Sequence, residues 1–379
     1  MKKLIAFIIT FSLVLSLSSP CLADTVFKEE DGIIKLTLQD AISNIEKQNT
    51  EIKLMDQKIA ILEKQYKTAL DNAEKAKTDT STNIQSNINL RKTELLNWKK
   101  SQLTLENAKH DRDDKLNSLI QDIKKQYYEA LMIKEDISNY QEEINNLNKN
   151  ISIVNAKINV GKMKSSDLKN YETQKSQLEA QLWTSQKQLN IAFLNIKRIL
   201  NIDINKQIDI EPVNIAVKTF DDSDIENKIK NTIENSYDIK KQALDLELSK
   251  LEYKIVDENS NKSSDEESEN NYSTLLNLEA SINTKEASLE NAKTSLEANL
   301  WSSYNNLKNL EYNIEIEKLN LEIAQITYDI TKASVSLNSS LSVDEISSHI
   351  ALLKQQTKFQ RAINQYVLSV ESLENQLNK

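Results

Sequence analysis

The sequence predicts an all-α dominated chain folded into long antiparallel coiled-coil hairpins, and three observations carry that expectation. The 379 residues include only two Gly and two Pro, so the backbone has few places to break. Apolar residues recur in alternating steps of three and four over tens of positions, the spacing of a coiled-coil seam. The pattern then occurs twice, with a period of about 185 residues, which is an internal duplication.

Composition also excludes several functions. Scarce glycine rules out phosphate-cradling loops, and two His (His110 and His349) with one Cys (Cys21) leave no zinc cluster, disulfide scaffold or Cys/His nucleophile to build. No cofactor, metal or catalytic residue is expected, because 57 acids among 48 bases make carboxylate pairs by chance. The formal charge is −9 without a basic stripe, which disfavours nucleic acid as a partner.

The first residues read as a secretory signal peptide over 1–23. Lys2 and Lys3 precede an apolar run from Leu4 to Leu17, and Cys21 and Ala23 supply the small residues for cleavage after Ala23. Acylation at Cys21 is the competing reading, but Pro20 and Ser18 fit that processing poorly. Cleavage removes two lysines and no acid, so the charge becomes −11. No later stretch approaches the ~20 apolar residues of a membrane-spanning helix.

The elements follow in order. A short β segment near 33–38 leads into a helix at 38–77, started by Thr37 as N-cap with Asp40 in the first turn. A second helix spans 90–160, and its seam runs through Leu116, Ile120, Ile123, Tyr127, Ala130, Lys134, Ile137, Tyr140, Ile144, Leu147, Ile151, Val154 and Ile158. About 70 residues at this rise make a rod of roughly 105 Å. Gly161 ends the rod as a left-handed C-cap, with Ser165, Ser166 and Asp167 as candidate N-caps for the return helix at 167–201. A linker at 202–224 alternates apolar residues around Pro212, which predicts one or two short strands within 202–220.

The second half, 225–379, repeats this order with helices at 225–256, 272–336 and 343–378, the first begun by a Ser223–Glu226 capping box. Asp257–Asn271 reads as a solvated or disordered acidic loop. One seam runs from Leu307 through Leu310, Ile314, Leu321, Ala324, Tyr328 and Thr331 to Val335, interrupted by Glu317. A second, Ile316, Leu319, Ile323, Ile326 and Ile330, lies on a neighbouring face. Two seams call for two helical neighbours, as in the wall of a bundle or tube.

Direct alignment sets Tyr66 on Tyr253, LENAK at 105–109 on LENAK at 289–293, and Gly161 on Asn338. Asn is the next residue after Gly to accept a left-handed turn. Ser342 and Asp344 then correspond to Ser165 and Asp167. Trp98, Trp183 and Trp301 are expected in grooves or core, and both histidines on the surface.

The duplicated turns AKINVGKMKSSD and ASVSLNSSLSVD, with the N-terminal LTLQDAISNIEKQN, resemble the TolC family of outer-membrane efflux proteins over nearly the whole mature chain. That resemblance implies a homotrimer whose hairpins form a helical tube, docking through its turns onto a periplasmic adaptor and an inner-membrane pump. It makes Gly161, Ser165, Ser166, Asp167, Asn338, Ser342 and Asp344 the partner-docking tip. It also implies two outer-membrane strands between the first and second helices of each half. The corresponding segments, Lys77–Asn89 and Asp257–Asn271, are too polar and short for strands of about 9–11 residues each, so a reduced or absent barrel is expected. The competing function is an exported structural, adhesive or adaptor-like coiled coil that bridges envelope layers without a channel.

Overall fold

The computed structural model describes residues 27–79, 84–213, 217–260, 265–337 and 342–378. Its short strands are β1 (Glu29–Glu30), β2 (Ile33–Leu36) and β3 (Gln207–Ile210). Helices of the first half are α1 (Leu38–Gln48), α2 (Thr50–Ala76), α3 (Ile84–Lys92), α4 (Trp98–Asn159) and α5 (Ser165–Leu200), with a π-helical turn, Thr93–Asn97, between α3 and α4. The second half holds α6 (Ile225–Asn235), α7 (Tyr237–Ser260), α8 (Asp265–Ser336) and α9 (Ser342–Leu377). The chain exposes 24026 Å², against about 15,000 Å² for a compact protein of its mass. It is therefore strongly elongated.

The helices stand side by side in a fixed order. Toward the end that carries the Gly161 turn, which we call the tip, the sequence of neighbours is α5, α4, α9, α8; toward the far end it is α2, α4, α7, α8. The long α4 and α8 run through both halves of the structure, while α2 and α5, and α7 and α9, divide the length between them. Antiparallel pairing is marked by ion pairs such as Lys109–Glu63 (3.5 Å) and Lys115–Glu51 (2.5 Å) between α4 and α2, and Lys285–Asp245 (2.6 Å) between α8 and α7.

Midway along α4, the largest core cluster joins the ends of the first half. β2 and β3 pair in parallel, Ile33 opposite Gln207 and Leu36 opposite Ile210, so the strand before α1 and the strand after α5 lie together. The Asp31–Gly32 turn, with φ of 51° and 78°, adds β1 antiparallel. Period-two alternation buries Ile34, Leu36, Ile208 and Ile210 against Ile45, Ile123, Ile196 and Ile199.

Tyr127 of α4 is fully buried beneath the strands, and its hydroxyl is the polar link. The single hydroxyl proton is shared between the carbonyl oxygens of Leu36 (2.7 Å) and Glu211 (2.8 Å), and the oxygen accepts from the Glu211 N–H (3.0 Å). Burial pushes its pKa up to about 12. Lys134, the charged position inside the seam, reaches out to Asp209 on β3 (2.6 Å), which also accepts from Lys35 of β2 (2.8 Å). The Lys134 and Lys35 hydrogen bonds hold the Asp209 carboxyl down at about 2.

Several boundaries differ from the sequence expectation. The segment expected as one helix over 38–77 breaks at Asn49, whose buried side chain accepts from the N–H of Glu51 (2.9 Å) and Ile52 (3.2 Å) and donates to the Ile199 carbonyl (2.8 Å). The segment expected over 225–256 breaks at Ser236. These breaks lie 187 residues apart, the offset of Tyr66 from Tyr253. The helix expected from residue 90 begins at Ile84. The acidic stretch expected as a loop over Asp257–Asn271 is helical up to Ser260 and from Asp265 onward. Burial of Ile255 and Val256 carries α7 onward.

Only β3 forms within the described part of 202–220, and α6 starts from Asp224 rather than from a Ser223 capping box. Thr37 caps α1 as expected, accepting from the Asp40 N–H at 3.0 Å. Seven residues connect α2 to α3, and four connect α7 to α8.

Two outcomes follow. Tyr127→Phe strands buried carbonyl and N–H groups, so denaturant unfolding should show a loss of about 1–3 kcal/mol. Because the Asp209 pKa is depressed, its contribution is full above about pH 4 and fades as pH falls toward 2, and solvent screening holds it to about 1 kcal/mol. Stability measured across that window should decline less steeply in Lys134→Ala.

Candidate functional site

Both hairpin ends meet at the tip. At the first, the Gly161 N–H donates to the Ile158 carbonyl (2.9 Å) and the Lys162 N–H to the Lys157 carbonyl (2.8 Å), a complete Schellman termination of α4. Gly161 has φ of 72°, and a Cβ there would meet nothing within 4 Å. The requirement for glycine is thus conformational rather than steric crowding from neighbours.

The return helix starts one residue earlier than Ser165, Ser166 or Asp167 would start it as N-caps. Lys164 is the N-cap, Ser165 and Ser166 are exposed in the first turn, and the Asp167 carboxylate reaches back to accept from the Lys164 N–H at 3.1 Å. In this position a carboxylate satisfies an orphan donor and faces the positive helix end. At the second hairpin, Ser342 opens α9 and Asp344 is exposed in its first turn. Asn338, like Ala23 and the signal segment, lies outside the described residues.

One apolar cluster binds the two tips together. Leu147 and Val154 of α4, Tyr171 and Leu178 of α5, and Ile346 and Ile350 of α9 bury one another, with Met163 and Leu168 at the margin. Polar links cross the same layer: Gln174 of α5 donates to Ser347 of α9, and His349 of α9 bonds to Glu143 of α4 through Nδ1. Glu143 is 1% exposed. Burial raises its pKa above the usual carboxylate range, while the His349 bond opposes the rise. Tyr328 of α8 packs on the His349 ring at 4.9 Å.

His349 is thus an inter-hairpin contact rather than an ordinary surface histidine. His110 likewise stacks on Tyr237 at 3.9 Å. The sequence gives no signal for either pairing, because the partners are 206 and 127 positions apart.

The two seams of α8 have different fates. Leu307 is buried and Leu310, Ile314, Leu321, Tyr328 and Val335 are half-buried in the first, where the charged Glu317 accepts from Gln355 of α9. The second stays open: Ile316, Leu319, Ile323, Ile326 and Ile330 are 54–62% exposed. Five aligned residues at steps of three and four make a stripe of about 21 Å.

The opposite edge of the helix layer is open as well. On α5, Thr173, Ser176 and Ala180 face solvent nearest the tip, followed by Trp183 (62% exposed), Ile191 and Leu194; on α2, Leu54 and Ile61 are exposed. Trp183 therefore stands outside any groove of this chain, whereas Trp98 donates its indole N–H to the Glu94 carbonyl (3.1 Å) and Trp301 packs edge-on to Tyr304. Among the described residues no group of three or more His, Cys, Asp or Glu could hold a metal ion, and no helix is long and apolar enough to cross a membrane.

With this geometry in view, the fold has clear counterparts among solved structures. The Campylobacter jejuni CmeC outer membrane channel superimposes with a TM-score of 0.69 at 11% identity, covering 90% of this chain and 85% of that one. The open state of the Neisseria gonorrhoeae MtrE outer membrane channel gives 0.66 at 10%, covering 90% and 88%. The outer membrane protein VceC from Vibrio cholerae gives 0.63 at 11%, covering 90% and 95%. No protein-family model and no curated protein sequence matches the chain. At these identities the likeness establishes the fold: the duplicated helical-hairpin architecture of outer-membrane channel proteins.

Gly161→Val should weaken the first turn by about 1–2 kcal/mol, because a β-branched residue resists positive φ, while Gly161→Asn should cost little. Thermal melting with limited proteolysis at residues 160–166 reads the difference, and equal behaviour of both variants with the parent would refute the assignment.

Proposed function

We propose that the protein is the conduit component of an envelope efflux or export system, a TolC-like homotrimer exported to the cell envelope. The observation that carries this reading is the pair of open edges. An apolar stripe on α8 and the open face of α5 and α2 lie on opposite sides of one protomer, so joining them is a heterologous, head-to-tail contact. Such contacts close into a ring when the rotation permits. Tyr328 of α8 packs on His349 and Gln174 of α5 bonds Ser347 two residues away, so the end of the α8 stripe at Ile326 and Ile330 stands near the level of the small Thr173 and Ser176 on α5.

Three protomers with four helices abreast place twelve helices around an axis, a ring about 35 Å across at spacings of 8–10 Å. The fold shared with outer-membrane channels supports the same reading. In it, the Gly161 turn and the start of α9, joined by one apolar cluster, form the docking tip for a periplasmic adaptor and an inner-membrane pump. Asp167 and Asp344 sit there as exposed or half-exposed carboxylates, and the protein has no catalytic role.

This conduit differs from an outer-membrane channel at its far end. Connections of seven and four residues cannot hold two membrane strands of about 9–11 residues each. A tube that assembles in water, without a barrel of that kind, is the consequence.

Residues 24–379 should sediment as a trimer with or without detergent micelles. A trimer only in detergent would point to inserted strands, and a monomer in both would favour the coiled-coil bridging protein. Ile323→Glu with Ile326→Glu should convert the trimer to monomers that keep their helical circular dichroism. Retention of the trimer in that variant would place the subunit interface elsewhere.

A further inference from the structure

A cleft of about 390 Å³ opens between the start of α4 and the start of α7, well away from the tip. Its walls are Trp98 and Leu103 of α4 with Tyr237 and Leu244 of α7. The aromatic walls are already held in place: the Trp98 indole is tied to Glu94, and the Tyr237 hydroxyl donates to Asn107 at 2.9 Å while its ring stacks on His110. Immediately before Trp98 the backbone makes the π-helical turn, a local widening that often accompanies ligand sites.

Lys99, Lys240 and Lys241 ring this apolar space. Three neighbouring lysines are matched to acids, Lys92 at the end of α3 and Lys100 of α4 on Glu252, and Lys109 of α4 on Glu63. Among the described residues these three form no ion pair; Lys99 lies 5.6 Å from the Trp98 ring and Lys240 bonds only the Asn235 side chain at 3.2 Å. Glu106, the one carboxylate on the rim, faces Lys109 at 4.0 Å. Three amines outside any ion pair, against the single rim carboxylate of Glu106, surround an apolar floor in a chain of charge −9 and complement an anion with an apolar body.

We propose that this cleft is a binding site for a small amphipathic organic anion, a carboxylate or sulfonate carried on an aromatic or short aliphatic body. The body lies between Trp98 and Tyr237 and over Leu244, and the acid group meets the lysine amines. The cleft belongs to the α4–α7 seam in the middle of the protomer, so a neighbour packed on the α2 and α8 edges leaves it open. Binding therefore does not depend on ring closure, and a monomeric chain would bind equally.

The test uses isothermal titration calorimetry on residues 24–379, with 1-naphthaleneacetate as the probe and 1-naphthaleneacetamide as its neutral counterpart. One acetate per chain is expected, with the amide at least tenfold weaker. Lys99→Gln, Lys240→Gln and Lys241→Gln together should erase the preference for the acid, and Leu244→Asp should abolish binding of both compounds. Lys332→Gln, distant on α8, controls for general loss of positive charge, and circular dichroism checks that each variant stays folded. Equal binding of acid and amide, unchanged affinity in the triple variant, or no binding of either compound overturns the proposal. Because sedimentation is measured separately, failure here is distinguishable from failure of the trimer.

Discussion

Everything in this structure depends on the need to cover the sides of α4. A helix of 62 residues with apolar positions recurring at seam spacing cannot bury them against itself. Neighbours have to supply the contact, and α2, α5, α7 and α9 do so by dividing the length of α4 between its two ends. Where those neighbours change over, the strands β2 and β3 and the Tyr127 hydroxyl lock the ends of the first half to the middle of the rod. Polar groups in and beside the seam are placed where they have partners: Lys134, within it, reaches Asp209, and the buried Glu143 next to it meets His349.

The same requirement applied to α8 has a different result. One of its faces is covered from within the chain by α7 and α9, and the other is not. The bare stripe and the bare opposite edge are two sides of one constraint, since a flat layer of helices always ends in two uncovered helices. Closing the layer on copies of itself removes both edges at once, as barrel closure does for strands. Among the described residues the helical wall is the dominant architecture of the protein.

At the tip, local chemistry and long-range packing act on the same few residues. Gly161 and Asp167 satisfy backbone groups at their own helix ends, which any helical hairpin needs. Tyr171, Ile346 and the Gln174–Ser347 bond then hold the two hairpins together. A partner docking on this end therefore meets a joined surface, not two separate turns. The cationic cleft at the start of α4 and α7 is a second polar feature, set far from that surface.

The sequence by itself determined the helical class, the duplication, the Gly161 turn and both seams of α8, because spacing and turn chemistry are properties of neighbouring residues. It also showed that Lys77–Asn89 and Asp257–Asn271 are poor membrane strands. It misjudged the second of these as a loop, since acidic composition signals solvation equally in a loop and at a helix N-terminus. Tertiary structure alone decided that one α8 seam is covered and the other bare, that Trp183 faces outward, and that Glu143 is buried against His349. It likewise decided that Asn49 interrupts a helix, by offering the Ile199 carbonyl to its side chain. Each of these depends on residues distant in the chain, and periodicity fixes which face of a helix is apolar without fixing what will lie against it.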